Sequence, residues 1–237
     1  MAGFTKQTTG NLLIWVGDPD CQAAHDAILA WLVNHISSFL VSSAAVNNIC
    51  KGNLGESIAF CVGHWYKFSR FYPFPANAFN PLSLISKPDI DIVWIFFGED
   101  EDDDLAILHE VKTTGGASMT IAYDLIDDYE KLFGTNPRLT LRTRLDSIKN
   151  EVEYKLRRPD LCRRISRLGG QSPITSTNIC LLPTLVYSRE KGDPTAKMLS
   201  VRSILCTKGW SSGSVETWAI GLSELDNRLL RLALGQR

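Results

Sequence analysis

Residues 87–114 read KPDIDIVWIFFGEDEDDDLAILHEVKTT, two apolar runs separated by seven glycine and acidic residues. Apolar runs on both sides of a polar turn are typical of a β-hairpin with a solvated tip. Successive side chains of a strand point to opposite faces, so Asp89 and Asp91 share one face of the first strand. The same alternation places Glu110 and Lys112 on one face of the second strand. If the two faces coincide, the hairpin brings carboxylates and an ammonium group together.

Such a group of side chains suits the hydrolysis of a phosphodiester. Carboxylate oxygens bind hard cations such as Mg²⁺ and Mn²⁺, and a bound cation lowers the pKa of a water molecule. A lysine beside the cation can orient that water or stabilise the charge that develops on the phosphate. The residues alone leave a second interpretation open, in which the segment is an edge hairpin with charged side chains on its wet face.

The motif Asp91, then nineteen residues later Glu110-Val111-Lys112, resembles that of the PD-(D/E)xK nuclease superfamily. This superfamily includes many restriction endonucleases, archaeal Holliday-junction resolvases and several antiphage effectors. Asp91 stands before two apolar residues, as the metal-binding aspartate of the family does, and Asp89 follows a literal proline. The resemblance implies that Asp91, Glu110 and Lys112 are catalytic and that Asp91 and Glu110 bind Mg²⁺ or Mn²⁺. Asp89 is a candidate for an additional metal ligand.

A second Glu-x-Lys sequence, Glu153-Tyr154-Lys155, provides an internal control. A bare Glu-x-Lys is a weak signal, because composition alone yields on the order of one in a chain of this size. The second copy lies among charged residues at helical spacing and follows no apolar strand, so we interpret it as a solvated helix face. The first copy ends an apolar strand, follows an aspartate-bearing strand and precedes Thr-Thr-Gly-Gly, where the chain must turn.

A predicted amphipathic helix precedes the hairpin and runs from Lys51 to about Phe71. It carries Glu56, and the resemblance implies that this glutamate lies beside the metal, as a further ligand or as a residue that contacts the ligands. Gly52 and Gly55 reduce helix stability by roughly 1 kcal/mol each, and a close approach of the helix backbone is one use for them. The alternative is that Glu56 only stabilises the N-terminus of its helix electrostatically.

The predicted order of elements is helix, strand, strand with Glu-x-Lys, helix, strand. This order is similar to the αβββαβ core of the superfamily with one core strand not placed, and it implies an α/β, restriction-endonuclease-like fold with a central mixed sheet flanked by helices. We expect one nuclease domain over 1–237 with its core at about 47–187. A strand and helix at 11–42 and another strand and helix at 214–235 are expected to pack on that core.

Two proline-containing segments are harder to assign. Three prolines between Phe71 and Pro81 predict an irregular, aromatic loop, whose rings either stack on bases or pack over the core. The apolar run Asn178–Tyr187 predicts a buried strand, and Pro183 within it indicates a bulge or an edge position.

Charge is distributed unevenly along a chain whose net charge is only −1. Residues 137–170 hold ten Lys/Arg against four acids and predict a basic insertion of one or two helices broken near Pro159. We expect nucleic-acid contacts from four arginines there, Arg157, Arg158, Arg163 and Arg164; the alternative is that they solvate a helix or face a protein. The six consecutive acids from Glu99 to Asp104 would repel DNA, so the hairpin tip should point away from the substrate or be covered by a basic partner.

The remaining composition narrows the class of protein. Six cysteines include no Cys-x-x-Cys pair, which argues against a structural zinc site or a disulfide framework. The first ten residues lack the pattern of a signal peptide, and the longest apolar helix candidate, residues 27–41, is interrupted by polar residues. We therefore predict a cytoplasmic protein without a membrane partner.

The functional expectation is a Mg²⁺-dependent deoxyribonuclease. The Gly-Glu helix, the late Leu-Pro-Thr-Leu-Val-Tyr-Ser strand and the length are similar to nuclease subunits of bacterial antiphage systems of the Hachiman type, which implies antiviral defence together with a helicase ATPase or sensor subunit. The alternatives are a self-sufficient restriction-type endonuclease or resolvase, and a non-catalytic assembly subunit that keeps the nuclease fold.

Overall fold

A computed structural model describes residues 3–17, 22–35, 48–76, 90–133, 141–170 and 177–237. The strands in these ranges are β1 (Phe4–Thr9), β2 (Leu12–Gly17), β3 (Tyr72–Pro75), β4 (Ile92–Phe96), β5 (Leu105–Thr114), β6 (Ile179–Ser188) and β7 (Thr217–Leu222). The α-helices are α1 (Gln22–His35), α2 (Asn48–Tyr66), α3 (Asp124–Phe133), α4 (Leu141–Tyr154), α5 (Pro159–Gly170), α6 (Thr195–Thr207) and α7 (Leu225–Ala233).

The strands form one mixed sheet in the order β1-β2-β7-β6-β5-β4-β3. The central strands β2, β7, β6 and β5 are parallel to one another, whereas β1, β4 and β3 each run antiparallel to their neighbours. Helices α3, α4, α5 and α6 bury their apolar residues against one face of the sheet, and α1, α2 and α7 do so against the other. The expected α/β class, with a mixed sheet flanked by helices, is confirmed.

The predicted hairpin is β4 and β5. These strands pair antiparallel from Ile92 opposite His109 to Phe96 opposite Leu105, and a short 3-10 turn at Glu101–Asp103 lies in the tip between them. Because β4 begins at Ile92, the last five residues of β5 extend beyond it. That end of β5 is where Glu110 and Lys112 lie.

The prediction for Pro183 is wrong. Strand β6 lies in the middle of the sheet, in continuous register with β5 and with Pro183 opposite Glu110. The Leu181 N–H donates to the Ser214 carbonyl on the β7 side (2.7 Å), so the nitrogen of Pro183, two residues on, faces the same side. There the β6–β7 ladder is interrupted between Leu181 and Thr184. A gap in one ladder, rather than a bulge or an edge, accommodates the missing donor.

The aromatic loop prediction is also wrong in part, because Tyr72–Pro75 forms the edge strand β3 paired with β4. Prolines are tolerated on an edge strand, where one side of the backbone needs no partner. Arg144 of α4 also binds this strand, because its Nη2 donates to the Phe74 carbonyl (2.6 Å). Residues 77–81 of the predicted loop lie outside the described residues.

The helices follow the sequence patterns with shifted ends. The predicted break near Pro159 separates α4 from α5, and Glu153 is exposed while Lys155 pairs with Glu151 at 2.8 Å, as expected for a solvated helix face. The helix that carries Glu56 ends at Tyr66 rather than Phe71. Strand β1 was not predicted. In the described part of the chain, no helix has the length and apolar character needed to cross a bilayer.

Candidate functional site

The end of β5 that extends past β4 is completed by a side chain. The Val111 N–H points to the side that β4 would occupy, and the Asp91 carboxylate accepts it (Oδ2 at 2.7 Å). Asp91 directly precedes β4, so its carboxylate replaces the next backbone carbonyl of the ladder. This hydrogen bond brings the two parts of the predicted motif together across the hairpin.

The carboxyls of Asp91 and Glu110 lie close enough that each acts on the ionisation of the other. Glu110 is only 4% exposed. Burial raises the pKa of Asp91 to about 6, against the opposing effects of the Val111 hydrogen bond and of Lys112. Burial also raises the pKa of Glu110 well above its usual range, and the nearby charges of Asp91, Asp128 and Glu56 add to this shift. Because the ionised forms of these two adjacent carboxyls are destabilised, a positive charge placed beside them would be bound favourably.

Lys112 lies on the same face of β5 but makes its ion pair with Asp128 of α3. Asp128 also pairs with a second lysine, Lys131, with 2.9 Å between Oδ1 and Nζ. Burial opposes the charge on Lys112, but Asp128, Glu110 and Asp91 outweigh that effect and raise its pKa. Burial likewise opposes the charge on Asp128, and Lys112 and Lys131 outweigh it and lower that pKa. Both partners are therefore charged at neutral pH.

Helix α3 is held against the site by its tyrosine. The Tyr129 hydroxyl donates to the Leu108 carbonyl (2.9 Å) and accepts the Glu110 N–H (3.3 Å), and its ring is buried. Because the residue next to Tyr129 is Asp128, these bonds to the β5 backbone set the distance of the Asp128 carboxylate from the strand.

Helix α2 forms the opposite wall and reaches β5 through a glycine. A Cβ at Gly55 would overlap the Thr113 hydroxyl, so only glycine permits this approach, as the sequence suggested. A Cβ at Gly52 would meet nothing within 4 Å, and that glycine has no such role. The next residue after Gly55, Glu56, lines the cleft and lies near enough to influence the ionisation of Glu110.

A cleft of about 710 Å³ opens between these walls. Its charged lining comprises Lys51, Lys112, Lys131, Glu56, Asp91, Glu110, Asp128 and Asp226, five acids against three lysines. Lys51 pairs with Asp226 at 2.7 Å on the rim. Within the described ranges, no three or more His, Cys, Asp or Glu side chains converge as a ready-made metal site. The adjacent carboxyls of Asp91 and Glu110 nevertheless fit Mg²⁺, which commonly takes one or two protein carboxylates and completes its shell with water and substrate phosphate.

His109, although next to Glu110 in sequence, lies on the other face of β5. It is fully buried, accepts from Trp94 Nε1 at Nδ1 (3.2 Å) and contacts the Thr184 hydroxyl through Nε2 (2.9 Å). Burial lowers its pKa to about 3. His109 is thus a neutral core residue and not an acid or base of the cleft.

The predicted site residues divide into three groups. Asp91, Glu110, Lys112 and Glu56 meet in the cleft, whereas Asp89 lies outside the described residues. The predicted nucleic-acid contacts are elsewhere: Arg163 and Arg164 lie on α5, and Arg157 and Arg158 lie just before it.

Helix α5 covers the acidic hairpin tip. Arg163 pairs with Glu101, Arg164 pairs with the buried Asp104, and Arg167 contacts Glu101 at 3.2 Å. The basic partner expected for the acidic run is therefore a helix of the same chain. Glu110 lies six positions after Asp104, about 20 Å along the strand at its usual rise, so this cluster and the cleft lie at opposite ends of β5.

Sequence reasoning missed Asp128. The helix was predicted from its apolar positions, and Asp128 lies beside Tyr129 among four acids between Asp124 and Glu130, so nothing local distinguishes it from a solvated residue. Its importance arises only from its contact with Lys112 on β5. Comparison of the sequence with models of protein families and with curated proteins finds no match in either set.

Proposed function

We propose that this protein is a metal-dependent DNA nuclease of the PD-(D/E)xK type. The observation that carries the proposal is the approach of the Asp91 and Glu110 carboxyls across the hairpin, beside a charged lysine, in an open cleft. Asp91 and Glu110 would hold a divalent cation, Mg²⁺ or Mn²⁺, and Glu56 lies on the facing wall. When bound, the cation lowers the pKa of a water molecule and stabilises charge on the phosphate.

The role of the chain is mainly positioning. Lys112 lines the cleft from β5, and its side chain is 26% exposed. Its raised pKa keeps the ammonium charged. It orients the attacking water or stabilises the developing charge. The Val111–Asp91 hydrogen bond fixes the carboxylate of Asp91, so that the ligand geometry does not depend on a flexible loop.

The order of elements also supports the proposal. Helix α2 is followed by β3, β4, β5, α3 and, after α4 and α5, by β6. This order agrees with the αβββαβ succession that the resemblance implies if β3 is taken as the strand that sequence patterns did not locate and α4 and α5 as an insertion. Helices α4 and α5 stand where the basic insertion was expected.

The test is cleavage of duplex and single-stranded DNA by the purified full-length chain with Mg²⁺ or Mn²⁺. Asp91→Asn, Glu110→Gln and Lys112→Ala should each reduce the rate by at least about a hundredfold, as expected for groups that stabilise the transition state. Exhaustive EDTA treatment should abolish cleavage, and added Mg²⁺ or Mn²⁺ should restore it.

The second Glu-x-Lys supplies the matched control, because Glu153→Gln and Lys155→Ala alter the same residue types on an exposed helix face. These variants should cleave at the wild-type rate. Loss of activity in the control pair alone would show that the wrong Glu-x-Lys was chosen. Activity that survives EDTA would refute the metal mechanism, and DNA binding without turnover would favour the assembly subunit.

The proposal also includes a biological setting and a partner subunit. We infer that the chain is an effector of bacterial antiphage defence and works with a helicase or sensor subunit, on the resemblance to Hachiman-type nucleases. The charge of the cleft supports dependence on a second component. Its lining has five acids and three lysines, so it repels DNA until a cation is bound.

A further inference from the structure

The Lys112 ammonium has two anionic destinations within reach, and only one is compatible with metal binding. It lies two residues from Glu110 on the same strand face, and both Glu110 and Asp91 act on its charge. A lysine on a flexible four-carbon stem can pair with either set of acids. If it paired with Asp91 and Glu110, it would occupy the oxygens that a divalent cation needs.

Asp128 competes for that ammonium from the other side. Each oxygen of its carboxylate makes one ion pair, Oδ2 with Lys112 and Oδ1 with Lys131. The side chain is 22% exposed, so the pair is shielded more than a surface ion pair. The bond from the Tyr129 hydroxyl to Leu108 holds this turn of α3 on β5, so the carboxylate sits at a defined place.

We propose that Asp128 is a positioning residue that holds the Lys112 ammonium away from the Asp91–Glu110 pair and so keeps that pair open to a divalent cation. The inference rests on the proposed function, but it concerns metal affinity and not turnover. Asp128 binds no metal itself in this scheme. Its effect on the metal acts through Lys112 and disappears when the lysine is absent.

A double-mutant cycle tests this dependence. The affinity of the full-length chain for Mn²⁺, without nucleic acid, is measured by calorimetry for the wild type, Asp128→Asn, Lys112→Ala and the double variant. In the wild-type background, Asp128→Asn should weaken Mn²⁺ binding by about tenfold, within the range of coupling found between contacting residues. In the Lys112→Ala background, the same change should weaken it by less than about threefold, the effect of one lost charge near the site.

Two further variants control for folding and for general charge effects. Asp127→Asn removes the neighbouring acid on the exposed side of α3 and should leave Mn²⁺ affinity unchanged. Asp128→Glu retains the carboxylate and should recover most of the lost affinity. Circular dichroism and thermal melting of each variant confirm that α3 is intact, since the Tyr129 anchor is not altered.

Equal loss of Mn²⁺ affinity in both backgrounds would make Asp128 a ligand and overturn the inference. An unchanged affinity for Asp128→Asn would overturn it as well, and in either case the nuclease proposal would stand. A wild-type chain that binds no Mn²⁺ at all, with or without DNA, would overturn both. The cycle therefore separates failure of the positioning role from failure of the proposed function.

Discussion

The Asp91 carboxylate combines a structural role with the chemical role that we propose for it. One oxygen accepts the Val111 N–H where the β4 ladder stops, and the group also faces Glu110. Replacement by alanine would leave the Val111 donor without a partner and would mix the two effects. Asparagine keeps a carbonyl oxygen for the hydrogen bond and removes only the charge, so it is the informative substitution.

The raised pKa of Asp91 predicts how stability depends on pH in the absence of metal. Below about pH 4 the group is protonated in both states, and its contribution is fully present. As the pH rises from 3.8 to about 6, the unfolded chain releases the proton before the folded chain does, so the free energy of unfolding falls. The loss by pH 8 is on the order of 2–3 kcal/mol, from 1.36 kcal/mol for each pKa unit.

Asp91→Asn should therefore melt at a higher temperature than the wild type at pH 8 in EDTA, and the difference should shrink towards pH 4. Thermal melts at several pH values measure it. Asp127→Asn, on the exposed side of α3, should show no such trend. A difference that stays constant across the range would mean that Asp91 is not held protonated by its surroundings.

At the scale of elements, the cleft depends on how closely α2 approaches β5. Gly55 meets Thr113 with no room for a methyl group, whereas Gly52 on the same helix faces open space. The close contact presents Glu56 to the cleft. One glycine is therefore there for packing and the other is not, although sequence reasoning treated them alike.

Gly55→Ala should push α2 off the strand, destabilise the protein by about 1–3 kcal/mol as overpacking does, and reduce metal affinity. Gly52→Ala is the matched control and should stabilise the protein by roughly 0.5–1 kcal/mol, because alanine favours a helix. Denaturant unfolding of both variants checks this. Equal effects of the two substitutions would contradict the assigned contact.

The contact between α5 and the hairpin tip is a second element-scale feature. Asp104 is 1% exposed on its side chain and Arg164 is 16% exposed, so this pair is buried, whereas Arg163 is 82% exposed. Nucleic-acid binding by Arg163 and Arg164 remains a prediction, and it now requires phosphate to displace Glu101 and Asp104.

Arg164→Ala should destabilise the fold by about 3–5 kcal/mol, because it removes the ion pair of the buried Asp104 and leaves that carboxylate only the Gly98 N–H (3.1 Å) as a donor. Arg163→Ala should leave the unfolding midpoint unchanged. Chemical denaturation of the two variants measures the contrast. If both are neutral, α5 and the tip are joined only by exposed charge, and their association has no structural role.

At the scale of the whole molecule, charge limits what the chain can do by itself. The net charge is −1, and the cleft is lined by more acids than lysines. Long-range attraction therefore brings little DNA to the site, and the basic segment that could compensate is partly neutralised by the tip.

We expect the chain to be isolated from its native host in a complex with a DNA-translocating or sensing subunit. Native mass spectrometry of the purified assembly gives the stoichiometry. Recovery of only free monomer or homodimer that cuts DNA at full rate would favour the self-sufficient restriction-type endonuclease.

Local patterns in the sequence determined much of the site. The alternation of the hairpin placed Glu110 and Lys112 on one face of the second strand and Asp91 on one face of the first, and it left open whether the two faces coincide. The contrast with Glu153-Tyr154-Lys155 separated a strand from a helix surface. The break at Pro159 was also local. These features are recoverable because each depends on residues a few positions apart along one element.

The tertiary structure decided the features that depend on distant partners. Strand β1 has five exposed residues of six and shows no buried face to detect. Pro183 was misassigned because a gap on the β7 side, formed by residues more than thirty positions away, accommodates its missing donor. The pairing of α5 with the hairpin tip joins residues about sixty positions apart. Asp128 meets Lys112 only because the Tyr129 hydroxyl seats α3 on β5, and a contact across two elements leaves no periodic signal in either.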